Sequence, residues 1–172
     1  MLTMIRASLE LMDEVRECIN SNYDLYKDIV EEKDLSEHMV SQEWAERNFK
    51  IREFYLARKD GKYVGATSYQ NLNDKLAYVG YFYIKRQHQG KGLGSAMMNF
   101  VQMRTLKDDL DQLYLFAQPD AHWAGAFYHK LGFKIASSDK EQILDIENGV
   151  FEPFYEENCL LMHKTLENGK EA

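Results

Sequence analysis

The pattern of apolar and polar residues changes its period along the chain. In the first fifty positions, apolar residues recur at helical spacing in two segments, and a short β-rich run precedes the first of them. The acidic segment between the two helices lacks such a period and predicts a loop. The elements expected here are a strand at residues 2–7, a helix at 10–20, a loop at 28–37, and a helix at 41–50 with Ser41 as N-cap.

The middle of the chain is β-rich. Two runs flank the pair Asp60 and Gly61, which tolerates the positive φ angles of a tight hairpin turn. A third run, LAYVGYFYI at residues 76–84, follows the turn-rich stretch NLNDK. We therefore expect three antiparallel strands in a meander.

Helices and strands alternate in the rest of the chain. A helix that ends near Leu106 is expected to carry one apolar stripe, formed by Leu93, Met97, Phe100, Met103 and Leu106. The later elements are a strand at residues 112–117, a helix at 122–131 ended by Gly132, a strand from Phe133, a turn at Asn148 and Gly149, and a last strand at 158–166.

This order of elements favours an α+β fold. Strands come first and alternating strands and helices follow, which is typical of a mixed sheet rather than a fully parallel one. We expect a mixed, mostly antiparallel central sheet of about six to seven strands, flanked by about four helices.

Length and composition favour one domain. The chain has 172 residues, of which 45% are hydrophobic, so we expect a single domain over residues 1–172 with a frayed tail from about 166. No apolar run approaches the length of a bilayer span, and charged residues occupy the place of a signal peptide's apolar stretch. A soluble, cytoplasmic protein without a membrane partner is the expectation.

The net charge and the arrangement of cysteines and histidines argue against two further classes of protein. The formal charge of −7 argues against a nucleic-acid partner, because phosphate binding needs a basic face. Cys18 and Cys159 are far apart, and the five histidines show no ligand spacing with them. We expect no metal site and no disulfide.

The stretch IKRQHQGKGLGSAMMNF joins a strand to a helix through three glycines. Gly90, Gly92 and Gly94 let successive amides turn toward one anion at the positive end of the helix dipole, which suits a phosphate or a pyrophosphate. A flexible turn is the simpler alternative. The spacing GxGxG matches neither a Walker A loop nor a dinucleotide fingerprint.

Two segments resemble the GNAT family of N-acetyltransferases. QGKGLG at residues 89–94 resembles the family's acyl-CoA signature, and AGAFYHKLGF at 124–133 resembles its later aromatic segment. The resemblance covers about residues 53–164 in element order. It implies the GNAT fold and transfer of an acetyl group from acetyl-CoA to a primary amine.

The resemblance also implies roles for individual residues. Tyr128 corresponds to the acid that protonates the departing thiolate. The main chain around Phe82 and Ile84 would pair with the pantetheine arm, and an amide there would polarise the thioester carbonyl. The pyrophosphate would be held by amides of the signature loop, namely Gln89, Gly90, Lys91, Gly92, Leu93, Gly94 and Ser95.

The chain departs from the family in two places. Many members carry an Asn where Ala121 stands, and Asp120, His122 or a water are the replacements we consider. The strand at residues 76–84 has no acid to serve as general base. The remaining candidates for the base are Tyr81 and Tyr83 acting through a water, Glu152, Glu156 and Asp139. Solvent alone would also suffice for an amine of low pKa.

The acceptor is expected to be a small-molecule or peptide amine. Its site would lie among the first helices, residues 31–36 and a hairpin-like excursion near Asn148, although a solvated face over ordinary apolar anchors is the slightly favoured interpretation of these residues. Two alternatives to an enzyme stay open: a catalytically silent CoA-binding or sensing module of the same fold, and a nucleotide-binding protein of another fold. A homodimer is one option for the oligomeric state. The acids and aromatics that would suit a cationic amine are Tyr23, Asp24, Tyr26, Asp28, Glu31, Glu32, Trp44, Phe151, Phe154 and Tyr155.

Overall fold

The computed structural model describes residues 1–167, in which seven strands form one mixed sheet in the order β1-β2-β3-β4-β5-β7-β6. Only β4 and β5 run parallel to each other. This arrangement confirms the expected mixed, mostly antiparallel α+β fold. The strands are β1 (Thr3–Arg6), β2 (Glu53–Lys59), β3 (Lys62–Asn71), β4 (Leu76–Ile84), β5 (Gln112–Ala117), β6 (Lys134–Ser137) and β7 (Leu160–Thr165).

Four longer helices flank the sheet, as expected, and two short helices accompany them. The helix before β2 begins as the sequence indicates, because Ser41 Oγ accepts a hydrogen bond from the Trp44 amide at 3.1 Å. The helices are α1 (Met12–Asn20), α2 (Tyr23–Tyr26), α3 (Gln42–Ile51), α4 (Leu93–Lys107), α5 (His122–Lys130) and α6 (Lys140–Asp145).

The two faces of the sheet bury different helices. Along β2, Phe54 and Leu56 pack with α1 and α3, whereas Tyr55 packs with α4 and α5. This alternation is the period of two that a strand imposes on its side chains. Helices therefore cover both faces of the sheet.

The expected stripe of α4 is wrong at one position. Met103 is 71% exposed, although it was expected to lie on the apolar face with Leu93 and Met97. The buried face passes instead through Met98 and Val101, because residues three and four apart share a side of a helix and repeated steps of three drift away from it.

Two expectations about irregular segments also need correction. The expected loop at residues 28–37 contains a 3₁₀ helix at Glu32–Glu37. The segment near Asn148 is not a hairpin, because α6 and two 3₁₀ turns, Ile146–Asn148 and Glu152–Phe154, fill the space between β6 and β7.

The C-terminal end of the described chain is packed. Leu166 is buried, and its amide donates to the Asp111 carbonyl at 2.7 Å. Leu166 therefore belongs to the core rather than to a frayed tail, and residues 168–172 of the expected tail lie outside the described range.

Candidate active site

The parallel strands β4 and β5 separate halfway along their length. Their pairing runs from Leu76 opposite Gln112 to Val79 opposite Leu115 and then stops. Both strands continue beyond this point, β4 by five residues and β5 by two. The result is a wedge-shaped gap in the sheet whose walls are backbone edges.

A β-bulge in β4 sits at the mouth of this gap. Two residues, Tyr81 and Phe82, oppose the single residue Thr67 of β3, and Tyr81 has a φ of 47°. A bulge shifts the strand by one residue and so exchanges the faces that later side chains occupy. Phe82 consequently packs toward α4, while Tyr81 and Tyr83 face α1 and α3.

The far end of β4 is tied to the first helices by side chains. The Ile84 carbonyl accepts hydrogen bonds from Asn22 Nδ2 at 2.9 Å and from Gln89 Nε2 at 3.0 Å. Gln89 Nε2 also donates to Asn22 Oδ1 at 2.8 Å. Because the alternation of a strand repeats every two residues, Phe82 presents its main chain to the same open edge as Ile84.

The glycine segment has the backbone that the sequence indicates. Gly90 and Gly92 have φ values of 78° and 75°, and an added Cβ at either would meet no atom within 4 Å. Gly92 is the N-cap of α4 and supplies no side-chain cap. The first amides of this helix therefore lack side-chain partners and face the end of the gap.

Gly94 serves a different purpose from the other two glycines. A Cβ at this position would lie 2.8 Å from Cζ of Phe127 on α5. The glycine lets the start of α4 approach α5 closely. The two helices thus lie against each other beside the gap.

Two cavities meet at the gap. The smaller, of about 360 Å³, runs from Gly90 and Ser95 of the glycine segment past Phe127 and Trp123. The larger, of about 790 Å³, extends to the other side of the sheet. The residues that line both are Tyr26, Phe82, Tyr83, Ala124 and Tyr128.

The Tyr128 side chain lies where these cavities join. It is 8% exposed and packs among Phe82, Phe127 and Phe133. Burial, and secondarily the neighbouring Tyr26, raises the pKa of Tyr128 above its ordinary value near 10. The phenol therefore keeps its proton at neutral pH, and the side chain borders both cavities.

Several connected polar side chains also border the larger cavity. The Tyr83 hydroxyl lies 3.3 Å from His38 Nδ1, and His38 Nε2 lies 2.9 Å from Glu156 Oε1. Gln118 Nε2 donates to the other Glu156 oxygen at 2.9 Å. We refer to Tyr83, His38 and Glu156 as the relay.

A sequence model of the Acetyltransferase (GNAT) family matches residues 16–133. This stretch is more than half of the chain. The chain belongs to the GNAT family.

Solved structures of GNAT proteins share the fold over nearly the whole chain. The PaiA N-acetyltransferase of Thermoplasma acidophilum in complex with coenzyme A has a TM-score of 0.72 at 18% identity, covering 96% of this chain and 99% of that one. A Staphylococcus aureus Mu50 acetyltransferase of the GNAT family has a TM-score of 0.73 at 17% identity, covering 97% and 100%. A GNAT family acetyltransferase from Elizabethkingia anophelis with acetyl-CoA bound gives 0.62 at 16%, covering 96% and 98%. No curated protein matched the chain.

The GNAT motifs fall together at the gap. The residues of the signature loop, Phe82, Ile84 and Tyr128 all border the smaller cavity except Lys91, which is exposed on the loop. The pKa of His88 beside the loop is lowered by desolvation and then by Lys91 and other lysines. The loop therefore lies in a locally basic environment, despite the acidic charge of the whole GNAT chain.

The candidates for the general base are now separated by their positions. Glu156 borders the larger cavity, whereas Glu152 and Asp139 border neither. Asp139 instead caps α6, because its side chain accepts from the Gln142 amide at 2.8 Å. Tyr81 donates to Glu37 in the larger cavity.

The position of the missing Asn is not filled by its neighbours. Ala121 is buried, and Asp120 and His122 are exposed and border neither cavity. Gln118, three residues before Ala121, borders the larger cavity and holds Glu156.

The acceptor surface expected from the sequence borders the larger cavity only in part, through Asp34 and Ser36 of residues 31–36 and Phe154 of the turn before β7. Of the ten acids and aromatics expected there, only Tyr26, Phe154 and Tyr155 border the larger cavity. The carboxylates of Asp24 and Glu31 are among those that do not. Cys159 does border it, and burial raises the pKa of its thiol to about 12, so the thiol is a poor nucleophile.

Several residues of the site could not be found from the sequence. Asn22 joins the end of β4 to α1 and α2, and no motif marks it. Glu37, His38, Arg52 and Gln118 reach the larger cavity through separate segments. In the described range 1–167, no helix could cross a membrane and no group of three His, Cys, Asp or Glu residues could hold a metal ion.

Proposed function

We propose that this GNAT protein transfers an acetyl group from acetyl-CoA to a primary amine of a small molecule or peptide. The observation that carries the proposal is that Tyr128 borders both cavities, one of which begins at the uncapped start of α4. The structural neighbours that contain coenzyme A or acetyl-CoA support this choice of donor. The acceptor enters from the other side, through the larger cavity.

The smaller cavity suits acetyl-CoA as a substrate. The amides of residues 89–95 bind the pyrophosphate at the positive end of α4, where Gly90 and Gly92 leave open space. The pantetheine arm lies along the open edge of β4, beside the main chain of Phe82 and Ile84. Asn22 and Gln89 hold that edge in place.

The chemistry needs no covalent enzyme intermediate. The amine nitrogen attacks the thioester carbonyl carbon, and a main-chain amide of β4 stabilises the negative charge that develops on the oxygen. The new C–N bond forms and the C–S bond breaks. Tyr128 gives its proton to the departing thiolate and regains one from solvent.

The relay accepts the proton that the amine loses. In the tautomer in which His38 Nε2 donates to Glu156, Nδ1 accepts from the Tyr83 hydroxyl. The Tyr83 oxygen then accepts a proton from the amine, directly or through a water, as its own proton passes to His38. Glu156 stabilises the imidazolium that results.

The decisive experiment is release of free thiol from acetyl-CoA across a panel of polyamines, aminoglycosides, amino acids and peptides. Acceptor-dependent thiol release, with an acetylated product detected by mass spectrometry, supports the enzyme. Tight CoA binding without turnover of any amine would instead select the silent CoA-binding module. Displacement of bound CoA by ATP or NAD would favour a nucleotide-binding protein.

A further inference from the structure

Arg52 places a cation in the larger cavity. It connects α3 to β2, and its guanidinium carbon lies 5.2 Å from the ring centres of both Tyr81 and Phe154. All three residues border the cavity. The two aromatic rings come from β4 and from the 3₁₀ turn before β7, and they fix the guanidinium by cation–π contact.

The guanidinium has no carboxylate partner in the described part of the chain. Arg104, by contrast, forms ion pairs with Glu53 and Asp108 at 2.9 and 2.6 Å. The Nε atom of Arg52 is buried without a hydrogen-bond partner, and so is Oε1 of Gln70, which borders the same cavity. Buried polar groups in folded proteins are almost always paired, so Arg52 has hydrogen-bonding capacity that the described part of the chain does not use.

The acids of the cavity do not neutralise this cation. Glu156 is engaged by His38 and Gln118, and Glu37 accepts from Tyr81. Asp34 Oδ2 accepts from the Glu157 amide at 3.2 Å. Arg52 therefore offers a guanidinium without a carboxylate partner, set between the rings of Tyr81 and Phe154. A guanidinium fork matches a carboxylate, which it can bind through two parallel hydrogen bonds.

Arg52 lies close to the end of β4, where the acetyl group is proposed to be transferred. A Cβ on Gly80 would lie 3.5 Å from Arg52 Nη1, and Phe82 and Tyr83 follow two and three residues later on β4. At about 3.3 Å per strand residue, and less across the bulge at Tyr81, the cation lies within roughly 10 Å of Phe82 and Tyr83. An acceptor of modest length can contact both.

We propose that the acceptor is an amine that also carries a carboxylate, and that Arg52 binds this carboxylate while the amine reaches Tyr83 and Tyr128. This inference rests on the proposed acetyl transfer and narrows its substrate class. The spacing favours an ω-amino acid or a lysine-like side chain over an α-amino group.

The test compares ω-amino acids of three to six carbons, and lysine, with their neutral carboxamides as acetyl acceptors. A remote carboxamide changes the basicity of the amine little, so the comparison isolates the carboxylate. The wild type is expected to prefer the acid by roughly 10-fold or more in kcat/KM, as a charge-assisted hydrogen bond allows. Equal use of acid and amide by the wild type overturns the proposal without any variant.

Variants of Arg52 test whether this residue causes the preference for the acid over the carboxamide. Arg52→Gln is expected to reduce the acid-to-amide ratio to within about 3-fold, and Arg52→Lys to keep part of it. The matched control is Arg58→Gln on β2, whose guanidinium lies over Tyr63 and away from both cavities. A preference that survives in Arg52→Gln contradicts the assignment.

Calorimetric titration with 6-aminohexanoate separates this inference from the proposed function. Binding that depends on Arg52, in a protein that turns over no acceptor, supports the carboxylate site and refutes acetyl transfer. Turnover of neutral amines without binding of 6-aminohexanoate supports acetyl transfer and refutes the carboxylate site.

Discussion

Nε2 of His38 lies 2.9 Å from Oε1 of Glu156, which joins the end of the 3₁₀ helix at Glu32–Glu37 to the loop before β7. The opposite ring nitrogen faces the Tyr83 hydroxyl. This contact brings an acid from the loop before β7 to the far end of β4. In the proposed mechanism it takes the place of the carboxylate that β4 lacks.

Glu156→Gln is expected to lower kcat by at least about 10-fold, because a neutral amide cannot stabilise the His38 imidazolium. The affinity for CoA should stay unchanged, since Glu156 borders only the larger cavity. Steady-state kinetics and CoA titration measure the two quantities. Glu152→Gln, on the neighbouring turn and away from both cavities, is the control. An equal loss in both variants would contradict the relay.

Gly94→Ala is expected to destabilise the protein by about 1–3 kcal/mol and to weaken CoA binding, because the new Cβ overlaps the Phe127 ring. Gly125→Ala on α5 meets no atom within 4 Å, so it should be neutral or slightly stabilising through helix propensity. Urea unfolding and CoA titration compare the same substitution at the two sites. Similar effects at both positions would show that close helix packing is not the cause.

The ion pairs of Glu157 are expected to make the stability of the protein depend on pH. Hydrogen bonds from Lys140 and Lys33 lower the pKa of this carboxyl from its usual 4.5 to about 2. A lowered folded-state pKa stabilises the protein above pH 4.5, and this contribution is lost as the pH falls from about 5 toward 2. Glu157→Gln should therefore unfold at lower urea than the wild type at pH 7, with the difference shrinking near pH 2.5.

The control for this measurement is Glu10→Gln at an exposed position. Its urea midpoint is expected to follow the wild type at both pH values. A difference between Glu157→Gln and the wild type that persists unchanged at pH 2.5 would refute the ion-pair account.

The sequence predicts the elements of this fold well where local chemistry decides them. Asp60 and Gly61 have the positive φ values of 51° and 76° that the hairpin requires, and Gly92 begins α4 as the glycine pattern indicates. These features depend on a few neighbouring residues. The motif around Tyr128 is likewise local, because it runs from α5 into the turn that ends this helix.

The larger cavity could not be predicted in the same way. The bulge at Tyr81 reverses the faces of β4, and nothing in the alternation of LAYVGYFYI marks the residue where this happens. His38, Arg52 and Glu156 meet only through the packing of distant segments. Their individual positions carry no local signal, so the acceptor side depends on tertiary structure.

The central claim is that Tyr128 protonates the departing thiolate. Because burial raises its pKa above 10, the phenol keeps its proton through the neutral and mildly alkaline range. The rate should thus rise with pH as the amine deprotonates and show no fall below about pH 10.

The most direct test is the kcat for thiol release by Tyr128→Phe, measured beside its CoA affinity. A ring without the hydroxyl keeps the packing against Phe82 and Phe133, so CoA affinity should be within about 3-fold of the wild type while kcat falls by about 10²–10⁴-fold. An unchanged kcat in a folded, CoA-binding variant would contradict the account.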